Sequence, residues 1–192
     1  MTYNTINKKL LSGQPILLDG GVGTEVMRRG VRWRQHGIED APDTIREIHT
    51  DYLKAGVDIL TTHTFNLTKR NFINFFRDGE HMSLIGASGL ASKADELCRS
   101  AISLAKEALT ENGKAETVPL AGSISPVMHL FRPDLSLPKN DCISHHRECI
   151  KILEDCGVDL IFFEGMNTVR EAKAALELSL IHISEPTRPR LR

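Results

Sequence analysis

The chain has 192 residues, a formal net charge of −1, 41% hydrophobic residues and 26% charged residues. This composition is typical of a folded globular domain and excludes a disordered chain, and the near-neutral charge gives no reason to expect a nucleic acid or an anionic membrane as partner. No stretch reaches the ~18 consecutive apolar residues that span a bilayer, and residues 1–9 lack the apolar core of a signal peptide. We therefore expect a cytoplasmic protein without a membrane segment.

Short apolar runs alternate with helical patterns from the start of the chain. Residues 15–19 are mainly apolar, end in Asp19 followed by glycines, and predict a buried parallel strand. The next pattern predicts a helix with Pro42 in its first turn and Gly56 as its stop. Residues 57–62 then predict the second strand.

The middle of the chain continues this alternation. Residues 66–89 are less regular and predict a loop with a short helix. Apolar residues spaced three and four apart predict a long helix from Leu90 to about Gly113. Residues 118–124 predict the third strand, and a proline-containing loop follows it over 126–138.

The next helix is expected to take Asp141 as its cap and to end at Gly157. Its two adjacent histidines, His145 and His146, are expected on the surface. Residues 158–164 predict the fourth strand. A fourth helix should follow, starting at Asn167 or Thr168, with apolar positions at Val169, Ala172 and Leu176.

The last fifteen residues, 178–192, do not continue this pattern cleanly. They bring β-branched residues, two prolines and alternating arginines without a glycine that would stop the helix. The stretch from Leu178 to Arg188 resembles the translation of a transposase adapter used in DNA sequencing libraries. We therefore expect one domain over residues 1–177 and an artefactual tail over 178–192 that does not belong to the fold.

Repeating strand–helix units with short links predict a parallel sheet with right-handed crossovers. An internal echo supports this repetition, because residues 55–60 resemble residues 156–161, two units later. The pattern fits an open doubly wound sheet as well as a closed barrel. Four units in about 177 residues equal half of an eightfold barrel, which typically needs ~250 residues.

Reactive groups gather at the carboxyl ends of parallel strands, so these positions are the candidate site. Asp19 ends the first strand and Glu164 ends the fourth. A carboxylate after an apolar strand is costly to bury unless it is paired, and a ligand ammonium group would be a suitable partner. The alternatives are a salt bridge for Glu164 and a helix cap or turn position for Asp19.

The glycines after Asp19 allow the backbone amides to approach a ligand, and such amides suit a carboxylate. A tight turn would use the same residues, and the pattern is not a nucleotide-binding motif. His63, at the end of the second strand, could bind a metal, but a hydrogen-bonding loop residue has the same sequence signature. The cysteines form no Cys-x-x-Cys pair, and we expect free, mostly buried thiols at Cys98, Cys142, Cys149 and Cys156.

Taken together, the strand ends resemble the homocysteine S-methyltransferase family, over about residues 10–177. The matching stretches are Leu18-Asp19-Gly20-Gly21-Val22-Gly23-Thr24-Glu25, residues 55–65 (Ala-Gly-Val-Asp-Ile-Leu-Thr-Thr-His-Thr-Phe), residues 121–126 (Ala-Gly-Ser-Ile-Ser-Pro) and residues 157–164 (Gly-Val-Asp-Leu-Ile-Phe-Phe-Glu). Ser125 departs from the pattern, since many members have glycine there.

The resemblance implies an α/β fold, the N-terminal half of a (β/α)₈ TIM barrel with about four parallel strands. It also implies zinc-dependent transfer of a methyl group from a donor to the homocysteine thiol, giving methionine, with zinc held by three cysteines. Carried over by position, Asp19 and Glu164 would hold the homocysteine ammonium, and amides at Gly20 and Gly21 its carboxylate. The remaining implied pocket residues are Thr62 and Thr64.

The family's zinc cysteines lie in later motifs that do not occur in this sequence. We therefore expect no metal ligands and no complete catalytic set in this chain, an inactive fragment, and a tendency to aggregate or oligomerise. The sequence does not identify the methyl donor, which could be a sulfonium, betaine, or a methyl-folate or cobalamin system. Two alternatives stay open: a non-catalytic half-barrel that assembles with a partner subunit, and another TIM-barrel enzyme such as an aldolase, although no lysine ends a strand.

Overall fold

The computed structural model describes residues 2–31, 35–70, 90–128 and 130–183. Three strands and six α-helices are assigned in these ranges. In chain order they are α1 Thr2–Leu11, α2 Val22–Arg28, α3 Pro42–Ala55, β1 Leu60–Thr61, α4 Leu90–Glu111, β2 Leu120–Ile124, α5 Lys139–Asp155, β3 Leu160–Phe163 and α6 Val169–Ile183, with short 3₁₀ turns at Gln35–Gly37 and Pro133–Leu135. Most of the predicted loop over 66–89 lies outside the described residues. No described helix is both long enough and apolar enough to cross a membrane.

The strands form a parallel sheet in the order β1-β2-β3. The first predicted strand, residues 15–19, adds only one parallel bridge, from Leu18 to Ile59 next to β1. The expectation that this segment is buried was wrong, since Leu17 and Leu18 are 53% and 49% exposed. Within the described ranges, this segment lies at the end of the strand order and pairs with a strand on one side only, which leaves its other side open.

The two faces of the sheet carry separate apolar clusters, as alternation along a strand requires. On one face, Leu60 and Leu120 belong to the main core, which the helices α3, α4, α5 and α6 complete with Ile48, Leu97, Leu153 and Leu178 among others. On the other face, Ile59 and Ala121 pack with Ile6 of α1. The helices other than α1 thus cover the outer face, as in a (β/α) barrel, while α1 contacts the inner one.

The internal echo in the sequence corresponds to a repeated clamp between neighbouring strands. The amide of Asp58 donates to the carbonyl oxygen of Leu17 at 2.7 Å, and the Asp58 Oδ2 accepts the amide of Leu17 at 3.0 Å. Two units later, the amide of Asp159 donates to the carbonyl oxygen of Leu120 at 2.8 Å, and its Oδ2 accepts the Leu120 amide at 2.9 Å. Each aspartate therefore forms hydrogen bonds with both the amide and the carbonyl oxygen of one residue in the neighbouring strand segment.

The predicted helix ends are confirmed at the three glycines, whose positive φ angles are 88° at Gly56, 63° at Gly113 and 66° at Gly157. Glycine adopts this left-handed conformation without steric cost and so ends a helix readily. The predicted cap at Asp141 was wrong. The helix α5 begins at Lys139, with Pro138 in the capping position, because the Asp141 amide already donates to the Pro138 carbonyl oxygen at 3.1 Å.

The start of α6 agrees with the sequence prediction, but the buried face of α6 does not. The Thr168 hydroxyl oxygen accepts the amide of Glu171 at 3.2 Å, which is the bond expected of a helix cap. Val169 and Leu176, predicted as apolar positions of this helix, are exposed. Ala172, the third predicted position, is exposed as well. The buried positions of α6 are instead Glu171, Ala174, Ala175 and Leu178.

The contact between α5 and α6 overturns the expectation that His146 lies on the surface. His146 and Glu171 have side chains that are each 1% exposed, and the His146 Nε2 lies 3.2 Å from the Glu171 Oε1. The Glu171 Oε1 also accepts the amide of Val127 at 2.6 Å. The helix α6 covers the side of α5 that carries His146, which the sequence of α5 does not reveal.

The predicted boundary between residues 177 and 178 falls inside α6, which runs to Ile183. Leu178 is buried in the main core. The origin of the segment 178–192 stays a prediction, and residues 184–192 lie outside the described part of the chain.

Candidate functional site

The carboxyl ends of the strands surround an open pocket of about 400 Å³. It is lined by the turn after the first segment, by the end of β1 and by residues of β2 and β3. Of the six residues predicted to bind substrate, five line it: Asp19, Gly20, Gly21, Thr62 and Glu164. Thr64 lies instead behind this rim, beside a second, small cavity.

Asp19 is fixed by the residue that ends β1. The amide of Thr61 donates to the Asp19 Oδ2 at 2.7 Å, and the Thr61 hydroxyl donates to the Asp19 Oδ1. Burial raises the pKa of Asp19 above its ordinary value, even though the hydrogen bonds from Thr61 act in the opposite direction. Asp19 does not cap a helix, since the capping residue of α2 is Gly21.

Glu164 continues β3 and keeps its register with β2, because its amide donates to the carbonyl oxygen of Ile124 at 2.9 Å. The Ser123 hydroxyl donates to the Glu164 Oε2 at 3.0 Å. Partial burial raises the pKa of Glu164, the hydrogen bond from Ser123 lowers it, and the Asp19 carboxylate raises it further. The alternative of a salt bridge finds no support, as no Arg or Lys among the described residues pairs with Glu164.

The turn after Asp19 brings bare backbone to the pocket. A Cβ atom on Gly20 would lie 2.6 Å from the Tyr52 hydroxyl oxygen, so no larger residue fits there without a shift of Tyr52. Gly21 immediately precedes α2, whose first residues line the pocket together with it. The start of a helix presents backbone amides with partial positive charge. This side of the pocket therefore suits an anionic group.

Thr62 and Thr64 are both buried, and their hydroxyls join β1 to β2. The Thr64 hydroxyl donates to the carbonyl oxygen of Ser123 at 2.7 Å, and the two threonine oxygens lie 2.7 Å apart. The amide of Ser123 donates to the Thr62 Oγ1 at 3.1 Å. Both hydroxyls are therefore hydrogen-bonded within the protein, and of these two threonines Thr62 lines the pocket while Thr64 lies beside the second cavity.

Two residues that contact the carboxylates directly were not singled out from the sequence. Thr61 holds Asp19 and Ser123 holds Glu164. Both are hydroxyl residues at the carboxyl ends of strands, which is the signal that could have identified them. Which carboxylate each one meets depends on pairing between distant segments, and no local pattern contains that information.

His63 also lines the pocket and is a hydrogen-bonding residue of the loop after β1. Its Nε2 lies 3.0 Å from the carbonyl oxygen of His36, and the two rings meet edge to face with centroids 5.6 Å apart. Burial lowers the pKa of His63 and therefore favours the neutral imidazole. The acids of the pocket, Asp19 and Glu164, are then its only charged groups among the described lining residues.

The described residues do not form a metal site. No group of three or more His, Cys, Asp or Glu side chains in the described ranges is arranged to hold an ion. Burial raises the pKa of Cys98 and of Cys149 to about 12 and that of Cys142 to about 11. Burial therefore favours the protonated thiol at these three cysteines.

Comparison with known proteins identifies the family to which this chain belongs. The sequence model described as homocysteine S-methyltransferase matches residues 16–189. The chain belongs to the homocysteine S-methyltransferase family. The family resemblance predicted from the four strand-end motifs is therefore confirmed.

Relatives of this chain within the family include an Escherichia coli homocysteine S-methyltransferase, 32% identical, with 93% of this chain and 59% of the relative covered. The Bacillus subtilis homocysteine S-methyltransferase YbgG is 29% identical, with 85% and 54% covered. The metallated crystal form of the E. coli homocysteine methyltransferase MmuM superimposes with a TM-score of 0.68 at 27% identity, covering 91% of this chain and 62% of that chain. The α/β half-barrel prediction is confirmed, and the chain spans a little over half the length of these relatives.

Proposed function

We propose that this chain forms the amino-acid-binding rim of a homocysteine S-methyltransferase, with Asp19 and Glu164 holding the homocysteine ammonium group. The observation that carries the proposal is the pair of carboxylates, from different strands, that face one pocket without a described Arg or Lys partner. Two like charges at one site disfavour each other's ionisation, and an ammonium group between them removes that penalty.

The turn after Asp19 would receive the other end of the amino acid. The amides of Gly20 and Gly21 and the start of α2 lie on the same pocket and suit a carboxylate. Thr62 would contribute to the shape of the pocket and Thr64 would support it from behind, because their hydroxyls are already hydrogen-bonded within the sheet.

Calorimetric titration of the 192-residue chain with L-homocysteine tests this proposal. The matched probe is 4-mercaptobutyrate, which keeps the thiol and the carboxylate but has no ammonium group. We expect L-homocysteine to bind and 4-mercaptobutyrate to bind at least ~10-fold more weakly, because hydrogen bonds to charged groups contribute about 1.5–3 kcal/mol. Asp19→Asn and Glu164→Gln should weaken L-homocysteine binding by a similar factor. Asp134→Asn, which changes an exposed acid paired with Arg132, is the control. Equal binding of the two probes would contradict the proposal.

We also propose that methyl transfer to the homocysteine thiol in the complete protein depends on zinc, and that this chain is inactive without further metal-binding residues. Support for a metal in the complete protein comes from the metallated crystal form of MmuM. The methyl donor is left open among sulfonium, betaine and methyl-folate or cobalamin systems. Metal analysis combined with a methyl-transfer assay on the 192-residue chain tests this, and tight stoichiometric zinc with turnover would refute it.

A second candidate is a half-barrel that assembles with a partner subunit. The exposure of Leu17 and Leu18 at the end of the strand order favours it, because an apolar sheet edge is a surface for further pairing. Gel filtration at several protein concentrations would separate a discrete oligomer from a monomer or from aggregates. A monomer at all concentrations would exclude assembly of this chain with copies of itself.

A further inference from the structure

The hydroxyls around Ser123 form a closed ring whose hydrogen-bond directions can be assigned. The Thr64 hydroxyl donates its one proton to the carbonyl oxygen of Ser123. It therefore cannot donate to Thr62, and the 2.7 Å contact between the two threonine oxygens must be a donation from Thr62 to Thr64. The ring closes where the Thr62 oxygen accepts the amide of Ser123 at 3.1 Å.

This ring has two consequences for the pocket. Each threonine hydroxyl donates its one hydrogen bond within the ring, so neither Thr62 nor Thr64 can donate a hydrogen bond to a ligand. The amide and the carbonyl oxygen of Ser123 are held by Thr62 and Thr64, which follow β1, so the backbone of Ser123 is fixed on this side of β2. The Ser123 side chain therefore starts from a fixed backbone, and its hydroxyl donates to the Glu164 Oε2 at 3.0 Å.

We propose that Ser123 is a positioning residue, held by the Thr62–Thr64 hydroxyl ring, that orients the Glu164 carboxylate to receive the ligand ammonium group. A hydroxyl that donates to a carboxylate favours the charged form of that acid. The identity of the ligand in this inference rests on the proposed function. The effect of Ser123 on Glu164 does not, because it is a property of the protein without ligand.

The effects of the other titratable groups in the pocket on the pKa of Glu164 can be separated from the effect of Ser123. Asp19 acts on it through charge, and His63 lies on the same pocket with its pKa lowered by burial. The hydrogen bonds of Asp19 to Thr61 and of His63 to His36 do not use the Ser123 hydroxyl. A shift in the titration of Glu164 on substitution of Ser123 therefore reports on this hydrogen bond, provided that Asp19 titrates as it does in the unsubstituted chain.

The test is a carbon-13 NMR titration of the 192-residue chain with labelled glutamate and aspartate carboxyl groups, in which Glu164→Gln identifies the Glu164 signal. In Ser123→Ala we expect the pKa of Glu164 to rise by about one unit, a ~10-fold change in proton affinity. Ser123→Thr, which restores a hydroxyl, should return the pKa towards its original value, and Thr64→Val should raise it in part by opening the ring. The matched control is Ser103→Ala, which removes a serine that donates to Glu107 at 2.9 Å on the exposed face of α4 and should leave Glu164 unchanged.

A second measurement follows L-homocysteine affinity against pH. Protonation of Glu164 should end binding at low pH, and in Ser123→Ala this limb should move up by about one pH unit. An unchanged Glu164 pKa in Ser123→Ala would overturn the inference, and an unchanged pKa in Thr64→Val would overturn the role of the ring. If Ser123→Ala does not fold, Ser123→Cys keeps the side-chain size with a weaker donor and carries the same expectation. No binding of L-homocysteine to the unsubstituted chain would refute the proposed function, while the pKa comparison would still decide the role of Ser123.

Discussion

Asp159 holds Leu120 by both polar atoms of its backbone, accepting the amide at 2.9 Å and donating to the carbonyl oxygen at 2.8 Å. Asp159→Ala removes the side-chain acceptor and leaves the Leu120 amide without it. We expect the free energy of unfolding to fall by about 1–3 kcal/mol, since an unsatisfied, partly buried donor costs that much. Urea unfolding followed by circular dichroism measures the change.

A matched control for this clamp is Asp155→Ala, four residues earlier. Asp155 is half-exposed and lies 3.7 Å from the Arg99 guanidinium. Exposed pairs contribute little, so this change should stay within about 0.5 kcal/mol. Equal losses of unfolding free energy in the two variants would show that the hydrogen bond from the Leu120 amide to Asp159 stabilises the fold no more than an exposed ion pair does.

His49 is fully buried in α3, and neither of its ring nitrogens has a hydrogen-bond partner among the described residues. Burying polar atoms without partners costs free energy, and an apolar side chain of similar volume avoids this cost. His49→Leu should therefore raise the free energy of unfolding at pH 7 by about 1 kcal/mol. A rise in the urea midpoint with an unchanged slope would confirm this, and a fall would mean that the ring makes a contact that leucine cannot replace.

The same substitution should change the response to acid. Burial, with a smaller effect from the charge of His63, lowers the pKa of His49 to about 3, and burial lowers that of His36 to about 4. The unfolded chain binds these protons near pH 6.5 and the folded chain does not, so stability is lost as the pH falls below 6.5. Each histidine contributes a slope of about 1.4 kcal/mol per pH unit in that window. The difference between the unsubstituted chain and His49→Leu should grow by this amount per unit between pH 6 and pH 5, and a constant difference would contradict the assignment.

Glu171 joins α6 to the loop after β2 through the Val127 amide and to α5 through His146. Burial raises the pKa of Glu171, but the contacts with His146 and Val127 outweigh this effect and leave the pKa below its ordinary value. Breaking a buried pair leaves a polar partner without compensation, so Glu171→Leu should cost about 3 kcal/mol. Glu171→Gln keeps an acceptor for Val127 and should cost less. Glu177→Gln, on an exposed position of the same helix paired with Lys139, is the control in chemical unfolding.

Gly20 and Tyr52 should behave as a coupled pair. A methyl group on Gly20 would meet the Tyr52 hydroxyl oxygen at 2.6 Å, and overpacking of this kind typically costs about 1–3 kcal/mol. Tyr52→Phe removes the nearest atom but leaves the ring, so the double variant should recover part of the loss. A double-mutant cycle on thermal or urea unfolding measures the coupling, and strictly additive effects would show that the two residues do not compete for space.

The sequence predicted the features that depend on neighbours along the chain. Helix ends follow from Gly56 and Gly157, which need only a left-handed backbone conformation, and the convergence of Asp19 and Glu164 follows from parallel strands that end at one edge. The errors concern contacts between distant segments. His146 was misplaced because the periodicity of α5 does not show that α6 covers that side. The hydrogen bond between Thr62 and the Ser123 amide depends on the pairing of β1 with β2, which the local sequence does not specify.

The two aspartate clamps secure the junctions on either side of the β1–β2 pair, at the ends of the strands away from the pocket. In the part of the chain that the structure describes, β1 and β2 are joined by no such clamp, and side chains link them through Thr62, Thr64 and the backbone of Ser123. The side-chain hydrogen bonds that supplement the backbone ladder between β1 and β2 therefore lie at the rim of the pocket. A substitution at these positions would change the pocket and the junction between the two strands together, so a change of ligand at this rim is constrained by the stability of the sheet.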